Sequence, residues 1–283
     1  MRACRPPRSK AIEARRRRDR REANMPDPVM IKKEIQARYD DLGERARKGV
    51  EGFQDPARLW RLVEGDRPAL AYFRRRKVET ALALGGFTPR SAILEVGCGT
   101  GDYSLLLARG GYRVTGLDLS SKSIEAARAK ASILGAPDVS FLVSDAEALS
   151  EVPANSVDGV ISFSALRYVP GLKQALLAIR RVLKPGGVAV LDFPNRHCPW
   201  FRLLKTRFGV ERHIHDQHYS TREIVTLMRD AGFADVAAKR ILFTTYVLPT
   251  PLLPLFRAID WVGERTPGIS QTAGIIVARG RKT

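Results

Sequence analysis

The sequence predicts an α/β fold: a doubly wound sheet of seven strands, mostly parallel, with an antiparallel last strand. Two observations carry this. Short apolar runs at 92–96, 113–117, 139–143, 157–163 and 188–193 alternate with segments of helical period at 103–108, 120–134 and 172–183, the pattern of parallel strands joined by crossing helices. The first run leads straight into Gly97, Gly99 and Gly101. Such a strand-to-helix turn points backbone N–H groups and a helix dipole at whatever carboxylate or phosphate a ligand brings.

The elements follow in order. Ile31, Ile35, Tyr39 and Leu42 give 28–48 a helical period. Phe53, Trp60 and Leu62 stand in a stretch expected to be irregular, either roofing a pocket or forming satellite core. Asp66 and Pro68 read as the capped start of a helix through Leu70, Phe73, Val78, Ala81 and Leu84, stopped by Gly85 and Gly86. Its run Arg74-Arg75-Arg76-Lys77 covers more than one turn and is expected on a solvated side. Ser120 starts the helix after the second strand, and Ser220-Thr221-Arg222-Glu223 is a capping box. Segments 241–248 and 273–278 are expected to pair as the terminal strands. Between them, Leu248 to Phe256 with Ile259, Trp261 and Val262 is unusually apolar for a connection. It suits a wall for an apolar acceptor, a homodimer contact, or an interfacial membrane foot over 248–262 near Arg257 and Arg265.

At 283 residues the chain is long enough for one large domain with insertions. The formal charge is +18, but residues 1–24 contribute +7 of it through ten Lys/Arg against three acids, leaving +11. That block is expected to be a basic, disordered tail. It lacks the apolar core of a secretory signal, and its single Ser and three acids speak against a transit peptide. Cys4, Cys98 and Cys198 are far apart with no C-x-x-C pair, so neither a disulfide framework nor a zinc site is suggested, and a reducing cytoplasm suits them. No apolar run approaches the roughly 18 residues needed to cross a bilayer.

The dinucleotide fingerprint G-x-G-x-x-G would require glycine where Asp102 stands. The chain reads instead Glu95-Val96-Gly97-Cys98-Gly99-Thr100-Gly101, with Asp118 17 residues further on and Leu-Lys-Pro-Gly-Gly at 183–187. These motifs, over about 93–193, resemble the class I S-adenosylmethionine-dependent methyltransferases of the small-molecule type. The resemblance implies a Rossmann-like doubly wound domain over 91–283 with insertions at 195–219, after the fifth strand, and 249–270, preceded by a helical N-terminal cap over 25–90. Tyr39-Asp40 sits where many such enzymes carry a similar dipeptide in a lid helix. S-adenosyl-L-methionine is then the cofactor. Glu95, Gly97, Cys98, Gly99, Gly101 and Tyr103 would surround it at the loop, Asp118 with Leu119 would take both ribose hydroxyls, and Ser162 and Phe163 would border the methyl. Asp145 would accept from the adenine amine while the Ala146 N–H faces a ring nitrogen. Carboxylates suit both tasks because they only accept.

The strand-four end, Ser162-Phe163-Ser164-Ala165-Leu166-Arg167-Tyr168, lacks the double proline typical of enzymes that methylate base amines, which counts against a nucleic-acid substrate. His213, His215, Asp216 and His218 invite a metal, but a loop without flanking order offers no fixed geometry, and none is assigned. The implied function is methyl transfer to an oxygen, nitrogen or carbon of a small apolar or aromatic molecule. Tyr168, His213, His215 and His218 are the candidate bases if the acceptor is a hydroxyl. A nucleic-acid-associated methyltransferase and a non-catalytic cofactor-binding subunit are the alternatives.

Overall fold

The computed structural model describes residues 27–51, 53, 55–199, 215–245 and 249–283. The expectations for the basic tail and for His213 lie outside the described residues.

Three helices come first: α1 (Pro28–Glu51), α2 (Pro56–Glu64) and α3 (Pro68–Gly85). The alternating part follows as β1 (Ala92–Val96), α4 (Asp102–Arg109), β2 (Arg113–Asp118), α5 (Ser121–Ile133), β3 (Val139–Val143), β4 (Val157–Ser162), α6 (Leu172–Val182) and β5 (Leu183–Pro194). Then come α7 (Thr221–Asp230), β6 (Ala234–Ile241), α8 (Leu253–Arg265) and β7 (Ile275–Arg281). The seven strands form one sheet in the order β3-β2-β1-β4-β5-β7-β6. The first five are parallel, and β7 runs antiparallel to both β5 and β6.

β1 pairs with β2 on one side and β4 on the other. The strand order therefore reverses beside β1, and a crevice opens past the carboxyl ends of β1 and β4. Each face of the sheet carries its own core. Leu94, Val96, Val160 and Leu191 pack with Leu176 and Ile179 of α6 and with Ile224 and Met228 of α7. Ile93, Ile161 and Val190 pack on the other face with Tyr72 and Ala81 of α3 and Leu107 of α4. Among the described residues no helix is long and apolar enough to cross a membrane.

Four local expectations are corrected. The sixth strand is Ala234–Ile241, ending where 241–248 was to begin. It is the sheet edge, alternates half-buried with exposed positions, and is built from Ala, Lys and Arg, so it shows no apolar run. The last strand starts later than expected, at Ile275, and runs on to Arg281 because both its edges are paired. The stretch with Trp60 is helical: the Asp55 side chain accepts from the Ala57 N–H, Pro56 opens the helix, and Leu59 and Val63 are its buried residues. Finally, the residue preceding α3 is Arg67, whose side chain makes no cap, so Asp66 is not the capping residue. The Ser220 box, by contrast, is closed on both sides with Glu223.

Candidate active site

At the crevice lies a cavity of about 310 Å³. Its floor is the loop after β1, its sides are the ends of β2 and β4 with Ser144, Asp145 and Ala146 after β3, and Lys32, Ile35 and Tyr39 of α1 reach over it. The loop is pinned from below. The Gly97 and Cys98 N–H groups both donate to the Leu117 carbonyl, at 2.8 and 2.9 Å, and the Gly99 N–H donates to Asp118 Oδ2 at 2.8 Å. Gly97 has φ +73°, and a Cβ there would collide with the Ala165 side chain, so glycine is required twice over. The second Asp118 oxygen accepts from the Ser120 N–H at 2.9 Å. Burial lifts this carboxyl above its ordinary value, against the opposing pull of those backbone N–H groups. A carboxylate has about four lone-pair directions, and the backbone N–H groups here do not use them all, so acceptor capacity is left for a ligand hydroxyl.

Of the residues expected at a cofactor, Gly97, Cys98, Gly99, Tyr103, Asp118, Leu119, Asp145, Ala146 and Phe163 line the cavity. Glu95, Gly101 and Ser162 do not; they support it from behind. Ser162 Oγ donates to the Val96 carbonyl at 2.8 Å, fastening β4 to β1. Gly101 is the left-handed residue that opens α4, and Phe141 and Ala127 fill the space a Cβ would need. Glu95 is fully buried and accepts from Ser104 Oγ at 2.5 Å, while its Oε1 has no partner. Burial pushes its carboxyl up to about 8, so it holds its proton at neutral pH. Asp145 is engaged as well: Oδ1 accepts from the Glu147 N–H at 2.9 Å and Oδ2 from Lys32 at 2.7 Å, and Lys32 also pairs with Glu147 at 2.8 Å.

Residues 94–191 match the methyltransferase domain family. A ubiquinone biosynthesis O-methyltransferase of Paracidovorax citrulli is 37% identical over 111 residues, which are 39% of this chain and 47% of the relative. A 2-methyl-6-phytyl-1,4-hydroquinone methyltransferase of Synechocystis is 36% identical over 215 residues, 72% of this chain and 65% of the relative. Over residues 94–191, then, this chain carries a methyltransferase domain. It spans less than two thirds of the length of either relative. Among solved structures, magnesium protoporphyrin IX methyltransferase of Synechocystis, with bound S-adenosylhomocysteine, is similar at a TM-score of 0.55 and 18% identity over 80% of this chain and 93% of that one. That likeness is one of fold.

The candidate bases fare less well. Tyr168 lines the cavity, edge-on to Tyr39 with ring centroids 5.8 Å apart. Burial, and then the charge and hydrogen bond of Tyr39, push its phenol well above the ordinary range. At neutral pH it is a hydrogen-bond donor, not a base. Neither His215 nor His218 lines the cavity. The His215 ring bonds to Glu34 of α1 at 2.8 Å, and the His218 ring to Asp216 at 3.0 Å. Asp216 is held in turn by the Arg167 guanidinium through two hydrogen bonds. Burial alone would raise the Asp216 carboxyl, but His218 and Arg167 bring it far below the usual range. His218, through Asp216 and Arg167, ties the loop before α7 to the strand-four segment, while His215 ties it to α1.

The apolar connection is corrected too: none of its described residues lines the cavity. Most of it is α8, with Leu255 57% and Trp261 61% exposed, as are Leu252, Ile259 and Val262.

The cationic run on α3 is the largest departure. Lys77 is 1% exposed, ion-paired to Asp192 of β5 at 2.6 Å and bonded to Ser164 Oγ at 2.7 Å. Arg74 lines the cavity and pairs with Asp102 at 2.7 Å, beside Lys130 at 2.5 Å. A signal was available: Lys77 follows Phe73 by one turn and precedes Ala81 by one, so it interrupts the apolar stripe itself.

Proposed function

We propose that this chain transfers the methyl of S-adenosylmethionine to a small apolar or aromatic acceptor. The observation that carries the reading is the Asp118 carboxylate, fixed beneath a glycine loop at the switch point with acceptor capacity to spare. The donor set fits the group. Asp118 suits a ribose diol, and Asp145 with the Ala146 N–H suits an adenine edge once the exocyclic amine takes the place of the Lys32 ammonium. The loop at the start of α4 suits the amino-acid end.

When bound, the cofactor supplies a methyl on a cationic sulfur that is already electrophilic, so the protein has mainly to align the acceptor and exclude water. Tyr39 and Ile35 of α1 cover the cavity, while Phe163 and Tyr168 give it aromatic walls. An apolar ring suits that lining, and the quinone-pathway names of the two curated relatives agree with it. The acceptor atom, whether oxygen, nitrogen or carbon, is set by the ring chosen. The buried free thiol of Cys98 suits a reducing setting such as the cytoplasm.

The exposed face of α8 gives an apolar acceptor a route in. Leu252, Leu255, Ile259 and Val262 with Trp261 fit the interface of an acidic bilayer, and Arg257 and Arg265 add the matching charge. Sedimentation with phosphatidylglycerol vesicles tests this; dimerisation without vesicle binding would assign the face to a second copy.

For the activity, calorimetry with S-adenosylhomocysteine and incubation with methyl-labelled cofactor plus a panel of hydroquinones and phenols are decisive. Labelled product is expected. Tight cofactor binding without transfer to any acceptor would make the chain a cofactor-holding subunit, and absence of binding would end the reading.

A further inference from the structure

The Lys77 cluster is unexplained by cofactor binding. The ammonium sits in a box of three rings, 5.5 Å from the Phe73 centroid, 5.2 Å from Tyr103 and 5.3 Å from Phe163. Asp192, 3% exposed, binds Lys77 through one oxygen and accepts the Ser164 N–H through the other at 2.5 Å. Ser164 is thus gripped at both its backbone and its side chain, in a left-handed conformation with φ +60° that a serine rarely adopts. Burying an ion pair is costly, and an apolar pair of the same volume usually packs as well or better. Strain and buried charge meeting at a cavity wall mark a functional position.

The chemistry of the contact says which function. A lysine ammonium has donors only, so Ser164 Oγ accepts from it and Lys77 cannot take the hydroxyl proton in exchange. Among the described residues no acceptor meets that proton, and Ser164 lines the cavity between Phe163 and Ala165. Burial alone would lower the Lys77 ammonium, but Asp192, with Tyr103, outweighs it and holds the ammonium above its ordinary value. A donor backed by a fixed positive charge favours a negative oxygen.

Resting on the methyltransferase reading above, we infer that Ser164, polarised by Lys77 and held in place by Asp192, is a subsite for an anionic ring oxygen of the acceptor, a phenolate or its enolate equivalent. Ser164 touches the substrate; Lys77 and Asp192 are positioning residues. The ring lies against Phe163 and the Tyr39 and Tyr168 pair, and its oxygen enters already ionised, its proton having gone to solvent water. The site then needs no histidine base.

The test uses the full chain saturated with S-adenosylhomocysteine and two probes of like size, 4-nitrophenolate and nitrobenzene. The wild type should bind nitrophenolate at least about tenfold more tightly, the scale of one charge-assisted hydrogen bond. Ser164→Gly keeps the backbone conformation and removes the hydroxyl. It should lose about tenfold for nitrophenolate while its affinities for nitrobenzene and S-adenosylhomocysteine stay at wild-type values. The double variant Lys77→Met/Asp192→Leu removes both charges at similar volume and should lose the same preference. Equal binding of the two probes by the wild type, or an undiminished preference in Ser164→Gly, overturns the subsite. A preference kept by the double variant overturns the part given to Lys77. Failure of S-adenosylhomocysteine itself to bind the wild type would bring down the methyltransferase reading, an outcome distinct from loss of probe discrimination alone.

Discussion

The cavity wall at the ends of β1 and β2 is made of backbone, and the wall at the ends of β4 and β5 is made of long side chains. On the first side the parts are Gly97, Gly99 and Asp118, within about twenty residues of one another, and each contact is an N–H to an oxygen. On the second side Lys77 comes from α3, Ser164 from the end of β4 and Asp192 from β5, while Arg167 reaches the loop before α7. The difference teaches that the half holding a constant ligand can be written as a short motif. The half proposed to select a variable ligand is assembled from distant turns of the chain, where substitution can change it piece by piece.

The largest effect should come from the side-chain wall. Lys77→Met leaves the buried Asp192 unpaired and should cost about 3–5 kcal/mol in chemical denaturation, most of it recovered when Asp192→Leu is added. If the single variant is as stable as the wild type, the wall is not electrostatic and the contrast fails. On the backbone wall, Gly97→Ala should cost about 1–3 kcal/mol from the left-handed backbone, with the Ala165 collision in addition. Gly99→Ala, which meets nothing within 4 Å, should cost visibly less in the same assay. Asp118→Ala should weaken S-adenosylhomocysteine by about 1–3 kcal/mol in calorimetry, since hydroxyls would be left unpaired.

Glu95 makes a contribution that depends on pH. Its carboxyl is raised from the ordinary 4.5 to about 8, so the folded state holds a proton that the unfolded state gives up. The associated stability is complete below 4.5 and is lost as the pH rises through about 8, at no more than about 1.4 kcal/mol per pH unit. Denaturation of Glu95→Gln across that window should give a flatter profile than the wild type; parallel profiles would show that Glu95 is ionised in the fold. Smallest of all, His218→Ala should change the rate of label transfer by less than about twofold, as suits a residue outside the cavity. A loss of a hundredfold would return the histidine to catalysis.

Legibility in the sequence follows the same division. The five parallel strands and the glycine loop could be read because their signals are local: an apolar run, a glycine spacing, an acid at a strand end. The edge strand β6 could not, because small and charged residues suffice where only one side is paired. Lys77 was hidden by its company, since four cations in a row suggest a wet face, whereas helical phase turns the fourth inward. The histidines misled in the other direction. Their chemistry suggested catalysis, but Glu34 and Asp216 were there to receive them. The Asp55-Pro56 start of α2 is a plain helix signature that the irregular reading of this stretch passed over.

The place of β7 between β5 and β6 has a consequence for synthesis. As the chain leaves the ribosome, β6 emerges before the strand that must hold it, and β5 waits with an open edge until residues 275–281 arrive. Through that interval the nascent domain exposes one strand edge and one orphan strand, the surfaces most prone to pairing with other chains. Only the arrival of β7 closes the sheet, so a product stalled or truncated before those few residues would be handled by the cell as an aggregation hazard while its glycine loop is already complete.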